Sequence, residues 1–300
     1  MKTLEAGKRI TLSNILFATD FSPYSNAALP YALAIARQYG AEIYGAHVAA
    51  SEDYLFTAPD LWIAHLQQQE ELEKEVKGRL DEQLCGVEHE TLFGVGDVWN
   101  TLSRLIGEND IDLLVVGTHG RTGARKLLMG SIAEKIFRQA PCPVLSIGPN
   151  VPCKPVGEIQ FHNILLATDF GEESLASLRY AFSLAEEAQA KLTLLHVIEQ
   201  PAAGIIDLEA ETASVMRRLK ELVPPEVEAW CQIECKVEFG PQFALPALRI
   251  LEIARDNDAD LIVLGVRPTH RAMSAVTHLS QTTAQHIVAH ATCPVLTVRG

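Results

Sequence analysis

The chain is poor in several features that would have assigned it to a class at once. Six cysteines in 300 residues are too few for a disulfide scaffold, so reduced thiols in a cytoplasmic protein are expected. Positive charge is also short. Lys and Arg number 25 against 38 Asp and Glu, for a net charge of −13, and an acidic surface repels phosphate backbones and anionic lipid. Neither half is basic: residues 1–155 hold 14 basic against 19 acidic residues, and residues 156–300 hold 11 against 19. Nucleic acid and membrane surfaces are therefore not expected partners. The longest apolar run, Ala27 to Ala36, is about half of a membrane span and contains Pro30. No apolar segment follows Met1 that would read as a signal peptide.

What is present is a globular composition, 48% hydrophobic and 21% charged, with 19 Gly and 15 Pro. Intrinsic disorder and fibrous repeats are excluded on those figures. The length is about twice that of a modal domain, and an internal repeat turns that ratio into an architecture. Asn14-Ile15-Leu16-Phe17-Ala18-Thr19-Asp20-Phe21 recurs as Asn163-Ile164-Leu165-Leu166-Ala167-Thr168-Asp169-Phe170. His47-Val48 returns as His196-Val197, and Asp112-Leu113-Leu114-Val115-Val116-Gly117 as Asp260-Leu261-Ile262-Val263-Leu264-Gly265. Cys142-Pro143-Val144-Leu145 returns as Cys293-Pro294-Val295-Leu296. The order is the same in both halves, and the spacing is far beyond the roughly 20–50 residues of a solenoid unit. The chain is a duplication, with domains over 1–150 and 158–300. Pro149, Pro152, Pro155 and Gly157 punctuate the join.

Each half alternates apolar runs with helical patterns. In the first, strands are expected at Ile15–Thr19, Ile43–Val48, His89–Phe93, Leu113–Gly117 and Val144–Ile147. Helices are expected from Ser22-Pro23, through Leu72, Val76, Leu80 and Leu84, over 98–108, and over Ser131–Gln139. Strands alternating with helices imply parallel pairing with right-handed crossovers, an open α/β sheet of Rossmann-like type in each half.

In such sheets ligands bind beyond the carboxyl ends of the strands. Three loops leave those ends: Ala18-Thr19-Asp20, His47-Val48-Ala49, and the stretch from Gly117 to Ser131. The last holds Gly117, Gly120, Gly123 and Gly130, and it ends where a helix begins. Glycines let backbone approach a ligand, and the free amides of a helix start attract an anion. Arg121, Arg125 and Lys126 add positive charge in an acidic half. The combination reads as a phosphate cradle. It is not a G-x-x-x-x-G-K-[ST] loop, and Gly94-Val95-Gly96 does not extend to a dinucleotide fingerprint. Nor does Asp20-Phe21-Ser22-Pro23 look like the Ser-Gly-Gly-x-Asp-Ser loop of a pyrophosphate-cleaving synthetase.

Glycine, two residues, glycine, nine residues, glycine and Ser/Thr is the ATP signature of the universal stress protein family. Gly117, Gly120, Gly130 and Ser131 match it position for position. Ala18-Thr19-Asp20-Phe21-Ser22 and Pro141-Cys142-Pro143-Val144-Leu145 also resemble that family, and the resemblance covers both halves. It implies two five-stranded parallel sheets of order 3-2-1-4-5 with helices on both faces. It also implies pairing of domains through their last strands and a cytoplasmic, stress-related role. Carried over by residue, it places Ala18, Asp20 and Val48 around adenine and ribose, with Val116 and Gly117 lining the same pocket. Gly120, Gly130, Ser131 and Ile132 would contact the phosphates, with Arg121 nearby. Asp20 would meet them only through water or a metal such as Mg or Mn.

The second half departs from the pattern. Pro268 replaces the second glycine, Gln281 stands in place of Gly130 after twelve intervening residues, and Thr282 keeps the hydroxyl. The first half is expected to bind nucleotide and the second not, or poorly; Arg267, His270 and Arg271 remain available to some other anion. Asp169, retained beside a broken loop, reads as structural. Cys231 and Cys235 read as core thiols rather than a zinc pair, and His286 with His290 lacks the Glu of a metalloprotease helix. Cys142 and Cys293 are expected to be buried. The functional expectation is an ATP-binding regulatory or stress-protective protein. The alternatives are a slow ATPase or nucleotide-handling enzyme, for which no general base stands out, and a structural module with vestigial pockets. An intramolecular domain pair is expected, with homodimerisation of whole chains open.

Overall fold

A computed structural model describes residues 9–49, 59–119, 129–199, 208–240, 245–267 and 278–299. The first half runs β1 (Asn14–Ala18), α1 (Pro23–Asn26), α2 (Leu29–Tyr39), β2 (Glu42–Ala49), α3 (Pro59–Leu84), β3 (His89–Val95), α4 (Val98–Glu108), β4 (Leu113–Gly117), α5 (Ser131–Gln139) and β5 (Val144–Ile147). The second runs β6 (Asn163–Ala167), α6 (Glu172–Ala188), β7 (Lys191–Ile198), α7 (Leu208–Glu221), α8 (Pro225–Glu228), β8 (Ile233–Phe239), α9 (Pro246–Asp256), β9 (Leu261–Gly265), α10 (His278–His290) and β10 (Val295–Val298). The expected strands are present within a residue or two at their ends. The apolar pattern from Ala27 to Ile35 lies mostly in α2, with Pro30 accommodated in its first turn and Gly40 closing it in the left-handed conformation.

Strand order in each half is 3-2-1-4-5, all parallel, and the two sheets are fused into one of ten strands, β3-β2-β1-β4-β5-β10-β9-β6-β7-β8. Fusion occurs at the last strands. β5 and β10 pair antiparallel, with Leu296 opposite Leu145 and Thr297 opposite Val144. Every residue of both strands is buried, so each would be an unprotected edge without the other.

Alternation along the strands sends side chains to two faces. Ile15 and Phe17 join the face covered by α2, whereas Leu16 joins Trp99, Leu102 and Leu105 of α4 on the other. The α2 face continues without a break into Ile164, Leu166, Leu178 and Phe182 of the second half. Duplicated carboxylates fasten the entry of each first strand. Asp112 accepts the Ser13 and Asn14 amides at 2.7 and 3.1 Å, and Asp260 accepts those of His162 and Asn163 at 2.8 and 3.0 Å.

Gly117 and Gly265 end β4 and β9 against the helix that follows the first strand of each half. A Cβ on Gly117 would lie 2.6 Å from the Tyr24 carbonyl oxygen, and one on Gly265 would lie 2.3 Å from the Ser174 amide. Both glycines are therefore required by packing, whatever the pocket holds. Gly265→Ala is expected to cost about 1–3 kcal/mol through forced backbone displacement, read as a lower urea midpoint at unchanged slope.

Candidate functional site

The turn after each first strand is built the same way twice. Phe21 and Phe170 adopt left-handed backbone, with φ of 60° and 61°, a conformation that costs a bulky residue about 1–3 kcal/mol. Local hydrogen bonds and ring contacts offset it. The Phe21 amide donates to Thr19 Oγ1 at 2.9 Å, and that of Phe170 to Thr168 Oγ1 at 3.0 Å. Each ring packs on a histidine, His47 at 4.9 Å or His196 at 4.7 Å between centroids. Each is covered by a guanidinium, Arg79 at 4.1 Å or Arg218 at 3.9 Å. Both histidines meet a threonine carbonyl through Nδ1, at 2.8 and 2.7 Å. With Nδ1–H donating, neutral imidazole leaves Nε2 an acceptor, and burial lowers the pKa of His196. The turn brings Asp20 to the carboxyl edge of the sheet, where its Oδ1 accepts the Ser22 amide at 3.0 Å.

Beyond the ends of β1, β2 and β4 lies a cavity of about 440 Å³. Ala18, Asp20, Val48, Val116, Gly117, Gly130, Ser131 and Ile132 all line it. Gly120 and Arg121 lie outside the described residues, as do Arg125 and Lys126. At one end, α5 begins at Ser131 after an extended Gly130 that supplies no capping side chain. The Gly130 amide donates to the Thr118 carbonyl at 3.0 Å, and among the described residues the amides of the first turn from Ser131 onward are left open beside the cavity. Val98, Leu102, Ala133 and Ile136 add an apolar wall to the lining. Those four went unrecognised in the sequence. Their helical periodicity marks a buried face, but nothing local says that its upper end faces a cavity. Thr19, Thr118 and His119 were missed as lining as well. His119 is buried, with Nδ1 3.0 Å from Thr118 Oγ1 and its ring 5.5 Å from that of Tyr24.

The second half has its own cavity, of about 270 Å³, beyond β6, β7 and β9. Its walls repeat the first in order: Ala167 for Ala18, Thr168 for Thr19, Asp169 for Asp20, Leu264 for Val116, Pro246 for Val98, Ala284 for Ala133. Its mouth differs. Asp169 accepts from the Gly171 amide at 2.9 Å, from the Ser174 hydroxyl, and from Arg267 Nη2 at 3.1 Å. Arg267 Nε also lies 3.9 Å from Glu173. Burial alone would raise the Asp169 pKa, but the Ser174, Gly171 and Arg267 partners outweigh it and lower it below the ordinary 3.8. The anion-holding role considered for Arg267 meets a guanidinium already paired with carboxylates. His270 and Arg271 lie outside the described residues.

The second difference is in the helix. Counting back from the repeated Cys-Pro, Gln281 and Thr282 correspond to Gly130 and Ser131. They lie within α10, which starts at His278. From Thr282 onward each amide lies a full turn inside that helix and is bonded to the carbonyl four residues back, so among the described residues no open amides lie where the first half has those of Ser131 and Ile132.

The remaining candidates are structural. Cys231 is buried and its thiol donates to the Ala190 carbonyl at 3.4 Å, while burial raises the pKa of both Cys231 and Cys235. Burial pushes the Cys142 and Cys293 thiols up to about 12. His286 and His290 stack at 4.1 Å between ring centroids, which is not a chelating arrangement. No cluster of three metal-ligating side chains occurs among the described residues, and no described helix is long and apolar enough to cross a membrane.

Because its folded pKa is depressed, Asp169 contributes stability above pH 3.8, and loses it as pH falls through the lower folded value. Asp169→Asn should therefore be less stable than wild type at neutral pH, with the gap closing in acid. Urea midpoints across pH 2 to 7 check the sign.

A sequence profile described as the universal stress protein family matches residues 11–147 and again 160–299. A universal stress protein of Methanocaldococcus jannaschii is 33% identical over 138 residues, 44% of this chain and 80% of its own length. A universal stress protein A homolog of Coxiella burnetii is 32% identical over 140 residues, 45% of this chain and 94% of its own. Among solved structures, a universal stress protein from Archaeoglobus fulgidus aligns over 95% of this chain and 98% of its own, with a TM-score of 0.69 at 20% identity. A putative universal stress protein from Pseudomonas aeruginosa aligns over 96% and 93%, with a TM-score of 0.59 at 19% identity. Those two show a shared fold across both halves. With the profile matched twice along nearly its whole length, the chain belongs to the universal stress protein family.

Proposed function

We propose that the first half binds ATP in its 440 Å³ cavity and that the chain is a cytoplasmic regulatory protein of the stress response rather than a turnover enzyme. One observation carries the reading: the start of α5 at Ser131, without a side-chain cap, opens into a cavity that joins an apolar wall to polar groups such as Asp20 and Thr118. Base and ribose fit the apolar end, between Val48, Val116 and Leu102. The phosphates fit the amides of the α5 first turn, with Gly120 and Arg121 of the adjoining loop contributing. Asp20 is the carboxylate among the described lining residues. One carboxylate together with phosphate oxygens suits a magnesium or manganese ion, which keeps most of its waters. The domain boundaries at 150 and 158 belong to the same reading, as does an intramolecular pairing that leaves whole-chain dimerisation to be measured.

ATP at about 100 times its Kd should stabilise the protein by roughly 2.7 kcal/mol. Gly130→Val places a branched side chain at the amide cradle, where among the described residues its Cβ meets the Thr118 carbonyl alone, at 3.4 Å, and should abolish the shift while the protein stays folded. Gln281→Val should leave it unchanged. Absence of a shift with any adenine nucleotide would overturn the reading. Single-turnover phosphate release faster than about 1 s⁻¹ would make the protein an enzyme instead.

A further inference from the structure

We infer that the second cavity is a separate site for an unphosphorylated nucleoside, selected by the same walls as the first cavity but with phosphate excluded. The nucleoside chemistry rests on reading the first cavity as an adenine-nucleotide site. What is specific to the second is the division between what the copy keeps and what it alters.

It keeps the apolar end. Val197 stands for Val48, Ile250 for Leu102 and Ile287 for Ile136, each lining the corresponding cavity. The same strands and helices deliver them, so the slot for a flat ring beside a sugar survives. Among the described residues it alters the end that would meet phosphate in three ways. α10 runs through Gln281 and Thr282 and uses the amides that α5 leaves open. Arg267, which lines the mouth, is bound to Asp169 at 3.1 Å and lies 3.9 Å from Glu173, so its charge is spent internally. Glu199 adds a further carboxylate to the lining. The cavity is also smaller, about 270 against 440 Å³.

The groups offered to a ligand are acceptors: Glu199 and Nε2 of His196, whose Nδ1–H is engaged by the Thr168 carbonyl. Sugar hydroxyls and an exocyclic amine are donors that match them. Among the described lining residues a phosphate would meet the Glu199 carboxylate, while Arg267 and Asp169 are already paired with each other, so each added phosphate should weaken binding.

The test uses the full chain carrying Gly130→Val together with Val48→Phe, which block the phosphate end and the base end of the first cavity, and titration calorimetry with adenosine, AMP and ATP. Adenosine should bind one per chain, and AMP and ATP at least about tenfold more weakly. Val197→Phe in the same background should remove adenosine binding. Glu199→Lys, at an exposed position where folding is not at risk, should narrow or reverse the preference for adenosine over AMP. The inference is overturned if that double variant binds no adenosine while wild type binds ATP, if AMP binds as tightly as adenosine, or if Glu199→Lys leaves the preference unmoved. Loss of ATP binding in the wild type with adenosine binding retained would instead overturn the reading of the first cavity.

Discussion

The antiparallel pairing of β5 with β10 is the contact on which the rest of the molecule depends. Each half is an open parallel sheet whose last strand is short and fully buried, and each supplies the other's missing neighbour. Residues just past those strands then secure the helices of the opposite half. The Arg299 guanidinium donates to the Phe137 carbonyl at the end of α5, and Asn150 Nδ2 donates to the His290 carbonyl of α10 at 3.5 Å. A Cβ on Gly148 would come within 3.0 Å of the Val288 carbonyl oxygen, so the chain passes α10 closely. Phe137 itself is buried in the core of the second half. The helix that opens its amino end to the first cavity is thus held at its carboxyl end by the other half.

Duplication has preserved the turns and released the sites. Thr-Asp-Phe folds identically in both halves, with the same left-handed phenylalanine, histidine contact and arginine cover. The arginines come from α3 and α7, where Val76, Arg79, Leu80 and Glu82 recur at the same spacing as Val215, Arg218, Leu219 and Glu221, so the cover is part of the repeat. Divergence concentrates where the second half lost its glycines. There the copy gained a longer helix and an arginine bound to Asp169.

Asp20 and Asp169 show how one residue type takes two parts. Asp20 makes the local hydrogen bond that closes its turn and faces a cavity with open amides nearby. Asp169 makes that bond and in addition holds Ser174 and Arg267. Its depressed pKa reflects those partners overcoming burial, so the structural reading of Asp169 is supported by its surroundings.

Much of the fold was legible because its signals are short-range. Apolar runs closed by Asp or Gly, a Ser-Pro helix start and the Gly40 stop depend on neighbours within a few residues, and the repeat doubles each of them. The spacing from Gly117 to Ser131 likewise placed its described residues around one cavity. Less was legible of the site's walls, since Val98, Leu102, Ala133 and Ile136 carry only the periodicity of any buried helix face. The sequence by itself determined the alternating α/β halves, their duplication and the difference between their loops. Pairing of the last strands was implied by the family resemblance and not by any local signal; only the tertiary structure decided its register and that Arg267 is bound to Asp169. Those two features join residues about a hundred or more positions apart, and periodicity and turn chemistry act over a few residues only.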